Sequence, residues 1–121
     1  MIEHQKDLSY DDRIAQVRKR FIHTLKDRLD DVLNVVQGEP ESSGGETHVR
    51  KVHRLLHDMS GNAAMLELDT IEQIVRKGVD IAEHVDTTGA DLTQTQITAL
   101  EAIIQDAHAA AAQLREHYST L

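Results

Sequence analysis

The sequence predicts an all-α fold, an antiparallel up-down four-helix bundle formed by one domain over residues 1–121. Apolar residues recur every three or four positions in four separate segments, which is the spacing of one face of an α-helix. One Phe, two Tyr and no Trp leave the core to Leu, Ile, Val, Met and Ala. No segment shows the alternation of a β-strand. Short connections after the second helix make consecutive helices antiparallel neighbours.

The first predicted helix covers residues 10–37. Ser9 and Asp12 resemble a capping box at its start. The apolar stripe that follows consists of Ile14, Val17, Phe21, Leu25, Leu29, Val32 and Val36. The polar segment 38–48 holds the only proline and three of the six glycines, so it is predicted to be a loop.

The second and third helices are separated by a short connection. Thr47 is predicted to cap the second helix, whose stripe is Val49, Val52, Leu56, Met59, Ala63 and Leu66. Asp69 and Glu72 repeat the capping pattern at the start of the third helix, and the sequence TTG at 87–89 ends it. Gly78 lies on the apolar stripe of the third helix, so another helix is expected to approach closely there.

Thr93 and Gln96 open the fourth predicted helix with a further capping pattern. Its apolar face carries Ile97, Leu100, Ile104, Ala107, Ala111, Leu114 and Tyr118. Each of the four helices therefore has a single apolar face, and the four faces can share one core.

Composition excludes several classes of function. Thirteen Lys and Arg residues against 21 acidic ones give a formal charge of −8, which argues against nucleic acid and anionic membranes as partners. The absence of cysteine excludes disulfide and thiol chemistry. No apolar run approaches the roughly 18 residues of a membrane span, and the first residues do not resemble a secretion signal. A cytoplasmic protein is expected.

The stretch HDMSGNAA at 57–64 is unusual for a helix because it places a histidine one turn before a glycine. On a helical wheel His57 points roughly 140° away from the centre of the apolar stripe, so it is expected to face solvent. Neutral imidazole is a nucleophile toward activated phosphorus. The residues expected to share its surface are Arg50, His53, Arg54, Ser60, Gly61 and Ala64.

At these residues the sequence resembles the histidine phosphotransfer (HPt) domains of bacterial multistep phosphorelays, whose motif has the form His-x-Leu-Lys-Gly-x-Ala. The corresponding residues here are His57, Met59 in the leucine position, Gly61 and Ala63. The resemblance implies that His57 is the phosphoacceptor, that Gly61 lets a receiver domain approach, and that Met59 and Ala63 are core residues beneath the site.

The resemblance also implies the partners: receiver domains of response regulators and a hybrid sensor histidine kinase. The chain would act as a monomeric phosphoryl carrier without cofactor, and Mg²⁺ would be bound by the partner receiver. The sequence contains no glycine-rich nucleotide-binding loop, so the phosphoryl group must come from elsewhere. The chain departs from the family at Ser60, where a lysine is usual, and at Glu67, where a glycine is frequent. Arg50 and Arg54 lie on the side of His57 and are candidates for replacing the lysine.

Three alternatives stay open at the level of sequence. A motif that starts at His53 would read HRLLH, which loses the glycine and the small residues. His53 and His57 have the spacing of a metal-chelating pair, although Arg54 replaces the Glu of a metalloprotease motif and no further ligand is placed nearby. The third alternative is an adaptor or inhibitor that binds receiver domains without carrying phosphate.

Overall fold

The computed structural model describes residues 2–38 and 45–119, with side chains from 10–38 and 45–117. Within these ranges the chain forms four α-helices and no β-strand: α1 (Ile2–Gln37), α2 (His48–Met65), α3 (Asp69–Thr88) and α4 (Gln94–Ser119). The predicted all-α four-helix bundle is confirmed, while the up-down order of the helices stays a prediction. None of the described helices combines the length and the apolar character needed to span a membrane.

One core is built from all four helices. α2 packs most extensively against α3, and α1 packs against α4. The largest fully buried side chains are aliphatic, as the composition predicts: Ile22, Leu25, Leu29, Val32, Val36, Val52, Leu56, Ile71, Val75, Leu100 and Ile104. Small residues of α4 complete the core, among them Ala107 and Ala111. The predicted stripe residue Tyr118 has its side chain outside the described residues.

α1 is longer than the sequence predicts. It begins at Ile2 rather than at residue 10, so the predicted cap at Ser9 is wrong, and the reason is that residues 2–9 contain no Gly or Pro that would stop a helix. α1 has 36 residues and α2 has 18, which correspond to about 54 Å and 27 Å of helix. Ile14 and Val17, predicted as core residues, are exposed: Val17 borders an open cleft with Met65 and Leu66 at the end of α2, and Ile14 lies one turn earlier on α1.

The N-terminal caps of α2 and α4 form as predicted. The hydroxyl of Thr47 accepts a hydrogen bond from the backbone N–H of Arg50 at 3.2 Å. At α4 the backbone N–H of Gln96 donates to the hydroxyl of Thr93, and the N–H of Thr93 donates to the side-chain oxygen of Gln96. Both helix starts are therefore set by local residues, since each cap satisfies backbone donors that the helix leaves free.

α3 starts differently from the prediction and ends as predicted. Asp69 is the first helical residue and Leu68 holds the cap position without a side-chain hydrogen bond, so the predicted capping role of Asp69 is wrong. Asp69 and Glu72 instead place negative charge in the first turn, which the helix dipole favours. Gly89 ends the helix with φ 73°, a left-handed conformation that glycine adopts without strain.

Gly78 brings α3 close to its neighbours, as its position on the apolar stripe predicts. A Cβ atom at this residue would lie 3.0 Å from Cδ1 of Leu56 on α2 and 3.5 Å from Cδ2 of Leu100 on α4. Contact at 3.0 Å is closer than carbon atoms normally pack, so the missing side chain allows these leucines to fill the centre of the bundle.

The turn between α2 and α3 contains the one non-glycine residue with positive φ in the described parts of the chain, Glu67 at 59°. Its N–H donates to the carbonyl of Ala64 at 3.1 Å, and the N–H of Leu68 donates to the carbonyl of Ala63 at 2.9 Å. These two bonds form a Schellman motif, in which the left-handed residue is usually glycine. Glu67 is one of the two residues at which the chain departs from the pattern it resembles, and glycine would adopt this φ without strain.

Candidate functional site

The exposed side of α2 carries His57 as predicted. His57, Gly61 and Ala64 are exposed, whereas Leu56, Met59 and Ala63 are buried on the opposite side of the helix. A Cβ atom added at Gly61 would meet nothing within 4 Å. Packing against the described residues therefore does not require the glycine, and it leaves open space one turn from the imidazole.

A groove of about 300 Å³ lies between α2 and α3 beside His57. α2 contributes four of the predicted site residues to it and α3 contributes three residues that the sequence reasoning missed: His57, Ser60, Gly61 and Ala64 from α2, with Arg76, Val79 and Asp80 from α3. Val79 is nearly buried and forms part of the floor, while Arg76 and Asp80 are exposed. The groove is thus small, open to solvent and bordered by charges from α3.

Ser60 differs from the predicted exposed position. It is only 8% exposed, so it forms part of the groove wall and not part of the exposed surface around His57. The reason is that α3 packs closely along this side of α2 and covers the residue. Its short hydroxyl lacks the reach of a lysine side chain, the residue that the resemblance leads one to expect here.

Arg50 and His53 face Asp86 on α3. Nε of Arg50 lies 3.5 Å from Oδ2 of Asp86, and Nδ1 of His53 lies 3.7 Å from the same oxygen. Asp86 is largely buried, with 14% of its side chain exposed, and the Arg50 guanidinium provides compensating positive charge. The suggestion that Arg50 turns toward His57 is not supported by this geometry.

Arg54 is paired with Glu46, the residue just before the cap of α2. Its Nε and Nη2 atoms donate to the two carboxylate oxygens at 2.8 and 3.1 Å, which is a bidentate pair. The hydrogen bond from Arg54 lowers the pKa of the Glu46 carboxyl, and the same bond raises the pKa of Arg54. Arg54 is therefore held at the start of α2, so the second candidate for replacing the lysine is also engaged elsewhere.

His53 and His57 are neighbours, but they do not form part of a larger ligand group. Their ring centroids are 5.9 Å apart and the planes are inclined by 75°, an edge-to-face arrangement. Among the described residues, no group of three or more His, Cys, Asp or Glu side chains is placed to hold a metal ion. The pair alone provides two nitrogens, fewer than structural or catalytic zinc sites use.

Sequence reasoning missed Arg76 because its proximity to His57 is created by the packing of two helices. The local signal that does exist is the spacing of Glu72 and Arg76, which are four residues apart and form an ion pair along α3. That signal predicts a surface salt bridge and says nothing about which residues of α2 lie opposite.

Neither the models of known families, nor characterised proteins, nor solved structures give a significant match to this chain. Any inference about the chemistry of the site therefore depends on its geometry. An exposed imidazole, open space at Gly61 and a cation bordering the groove suit the reception of an anionic group from a partner.

Proposed function

We propose that this chain is a histidine phosphotransfer protein of a cytoplasmic phosphorelay, with His57 as the phosphoacceptor. The observation that carries the proposal is the position of His57 on an open groove beside Gly61, where a partner can approach without meeting a large side chain. The four-helix bundle, with its histidine on the second helix, supports the same interpretation.

The transfer requires little from the chain itself. A lone pair on a ring nitrogen of neutral His57 attacks phosphorus in the aspartyl phosphate of a receiver domain. The P–O bond breaks, the aspartate carboxylate leaves with its electron pair, and the product is a phosphoimidazolium that can release its remaining ring proton to water. Mg²⁺ on the receiver would offset charge on the phosphoryl oxygens. The chain then returns the group to a second receiver by the reverse step.

The direct test incubates the protein with phosphorylated receiver domains from the same organism, including that of a hybrid sensor histidine kinase. We expect a label that is labile in acid and stable in alkali, and we expect it to be absent from His57→Gln. His23→Gln is the matched control, because His23 is also an exposed histidine but lies on α1. Labelling of the His57→Gln variant at the wild-type level contradicts the assignment of the phosphoacceptor.

An adaptor or inhibitor that binds receivers without accepting phosphate is the second candidate, and the buried Ser60 in the lysine position favours it. Labelling of the wild-type protein separates the two, and the Gly61→Leu variant tests whether the receiver docks beside His57. Since an added Cβ at Gly61 meets nothing within 4 Å, we expect the fold to tolerate this change. Transfer from a receiver should fall at least about tenfold, while labelling by the small donor phosphoramidate should persist.

The control for added bulk is Ala102→Leu, at an exposed position of α4. Two results distinguish the candidates. Receiver binding that persists in the wild-type protein without any label at His57 supports the adaptor. A wild-type label whose transfer is lost in Gly61→Leu but kept in Ala102→Leu supports the phosphotransfer function.

A further inference from the structure

The groove beside His57 has a cation that belongs to α3 and not to the HPt-like motif. Arg76 is the one Lys or Arg among the described residues that line the groove. Its side chain is 62% exposed, so it has room to change orientation. All three arginines are paired with carboxylates, Arg50 with Asp86, Arg54 with Glu46 and Arg76 with Glu72. What distinguishes Arg76 is that it lines the groove beside His57.

We propose that Arg76 binds the phosphoryl group on His57 and thereby takes the role of the lysine that this chain lacks, an inference that rests on the proposed phosphotransfer function. A guanidinium offers five N–H donors in a planar arrangement, which suits bidentate binding of phosphate oxygens. Ser60, at the lysine position, lies in the wall of the same groove. The positive charge therefore comes to the site from the neighbouring helix.

Glu72 regulates this interaction by competing for the guanidinium. Arg76 forms an ion pair with Glu72 one turn earlier on α3. The Glu72 side chain is only 15% exposed and bonds Nη2 of Arg76, whereas Arg76 is 62% exposed. A phosphoryl group with nearly two negative charges can therefore share the remaining N–H donors of the guanidinium. Asp80 also lines the groove and repels the phosphoryl group. The two carboxylates thus limit how tightly the phosphoryl group is held, which keeps onward transfer possible.

The experiment uses phosphoramidate, so that no partner protein is needed. The imidazole lone pair of His57 attacks phosphorus, the P–N bond of the donor breaks, and ammonia leaves with its electron pair. The ³¹P chemical shift of the labelled protein is then followed between about pH 5 and 8, the range in which a protein-bound phosphoryl group loses its last proton. A nearby cation lowers the midpoint of this titration and a nearby anion raises it.

We expect the midpoint to rise by about 0.5 pH unit or more in Arg76→Ala, and to fall in Glu72→Gln because the guanidinium is released from its competitor. Lys77→Ala is the matched control: it removes an exposed cation from the next position of α3, which does not line the groove. Circular dichroism verifies that all variants fold.

Equal midpoints in Arg76→Ala and Lys77→Ala overturn the role of Arg76, and a higher midpoint in Glu72→Gln overturns the competition. These results leave the proposed function intact. Conversely, labelled His57 with the expected shifts, but without transfer to any receiver, contradicts the proposed function and preserves the role of Arg76. Failure of phosphoramidate to label His57 contradicts both.

Discussion

The backbone of Glu67 holds a conformation that most residues avoid. Its φ of 59° lies in the left-handed region, where the side chain of an L-residue crowds the backbone at a cost of about 1–2 kcal/mol. The turn keeps this conformation because two backbone hydrogen bonds close the end of α2. The next residue, Leu68, is buried in the core. Strain at a single residue is therefore balanced by the packing of the two helices that it joins.

Replacement of Glu67 by Gly should increase stability. Glycine adopts positive φ without the steric cost, although it loses more conformational freedom on folding, so we expect the free energy of unfolding to rise by about 0.5–1 kcal/mol. Urea denaturation of the wild-type protein and Glu67→Gly measures the change. Glu67→Ala is the control, since it removes the carboxylate and keeps the Cβ atom. A comparable gain in Glu67→Ala would assign the effect to charge instead of backbone conformation.

At the scale of one element, the start of α2 combines three interactions. Thr47 caps the helix, Glu46 pairs with Arg54 one and a half turns into it, and a ring N–H of His48 donates to the carbonyl of Val35 near the end of α1. The helix that carries His57 is thereby fixed at its N-terminal end through Glu46, Thr47 and His48, which lie at or just before its first residue. A fixed start matters for the site because a helix transmits a shift of its end to every residue along it.

The pair between Glu46 and Arg54 predicts a measurable pH dependence. The pKa of the Glu46 carboxyl lies below its ordinary value of 4.5 because Arg54 hydrogen-bonds to the charged form. A lowered pKa in the folded state means that the stabilising contribution is present above pH 4.5 and is lost as pH falls through the lower, folded-state pKa. In Arg54→Ala the NMR titration of Glu46 should therefore move upward.

Arg50→Ala serves as the control for that titration. Arg50 lowers the pKa of Glu46 through its charge alone and contributes least to the lowering, so its removal should move the Glu46 titration less than the removal of Arg54 does. If both variants move the Glu46 titration equally, the hydrogen bond is not the main cause. The acid-induced loss of stability should also be shallower in Arg54→Ala than in the wild-type protein.

Helix boundaries were predictable wherever a local cap sets them. Thr47, Thr93 and Gly89 act through residues within four positions, so their roles can be seen in the sequence. The start of α1 was not predictable from Ser9, because a potential cap has no effect when the preceding residues continue the helix equally well.

At the scale of the whole molecule, the core ends before α1 does. The stripe of α1 is continuous in sequence, but among the side chains described from residue 10 onward burial begins at Phe21, and Tyr10, Ile14 and Val17 are 65%, 38% and 47% exposed. Periodicity predicts which face of a helix is apolar, whereas the lengths of the neighbouring helices decide how much of that face is covered. The sequence alone therefore overestimates the core at this end.

Part of the apolar stripe of α1 is buried and part is exposed, so substitutions in the two parts should change the free energy of unfolding by different amounts. Replacing Ile14 and Val17 together by Ser should change the free energy of unfolding by less than about 1 kcal/mol, because both side chains already contact water. Leu29→Ala, at a position with no exposed surface, should cost about 2–5 kcal/mol. Thermal and urea unfolding of these variants provides the measurement. A double serine variant as unstable as Leu29→Ala would mean that the start of α1 is covered in solution.

The candidate site shows the same division between local and tertiary information. The exposure of His57 and Gly61 follows from the period of one helix and was predictable. The orientation of Arg50 and Arg54 was not, because their acidic partners lie on α3 and in the segment before α2. Arg76 reaches the groove through the packing of α3 on α2, which no spacing within either helix reveals.

The hydrogen bond from His48 to the carbonyl of Val35 has a practical consequence for studying this protein. It joins the two ends of the connection between α1 and α2 independently of the residues in between. Lengthening the connection would leave this bond in place, and each doubling of loop length adds about 0.6 kcal/mol of closure entropy. An affinity peptide inserted in this connection should therefore preserve the start of α2, nine residues before His57.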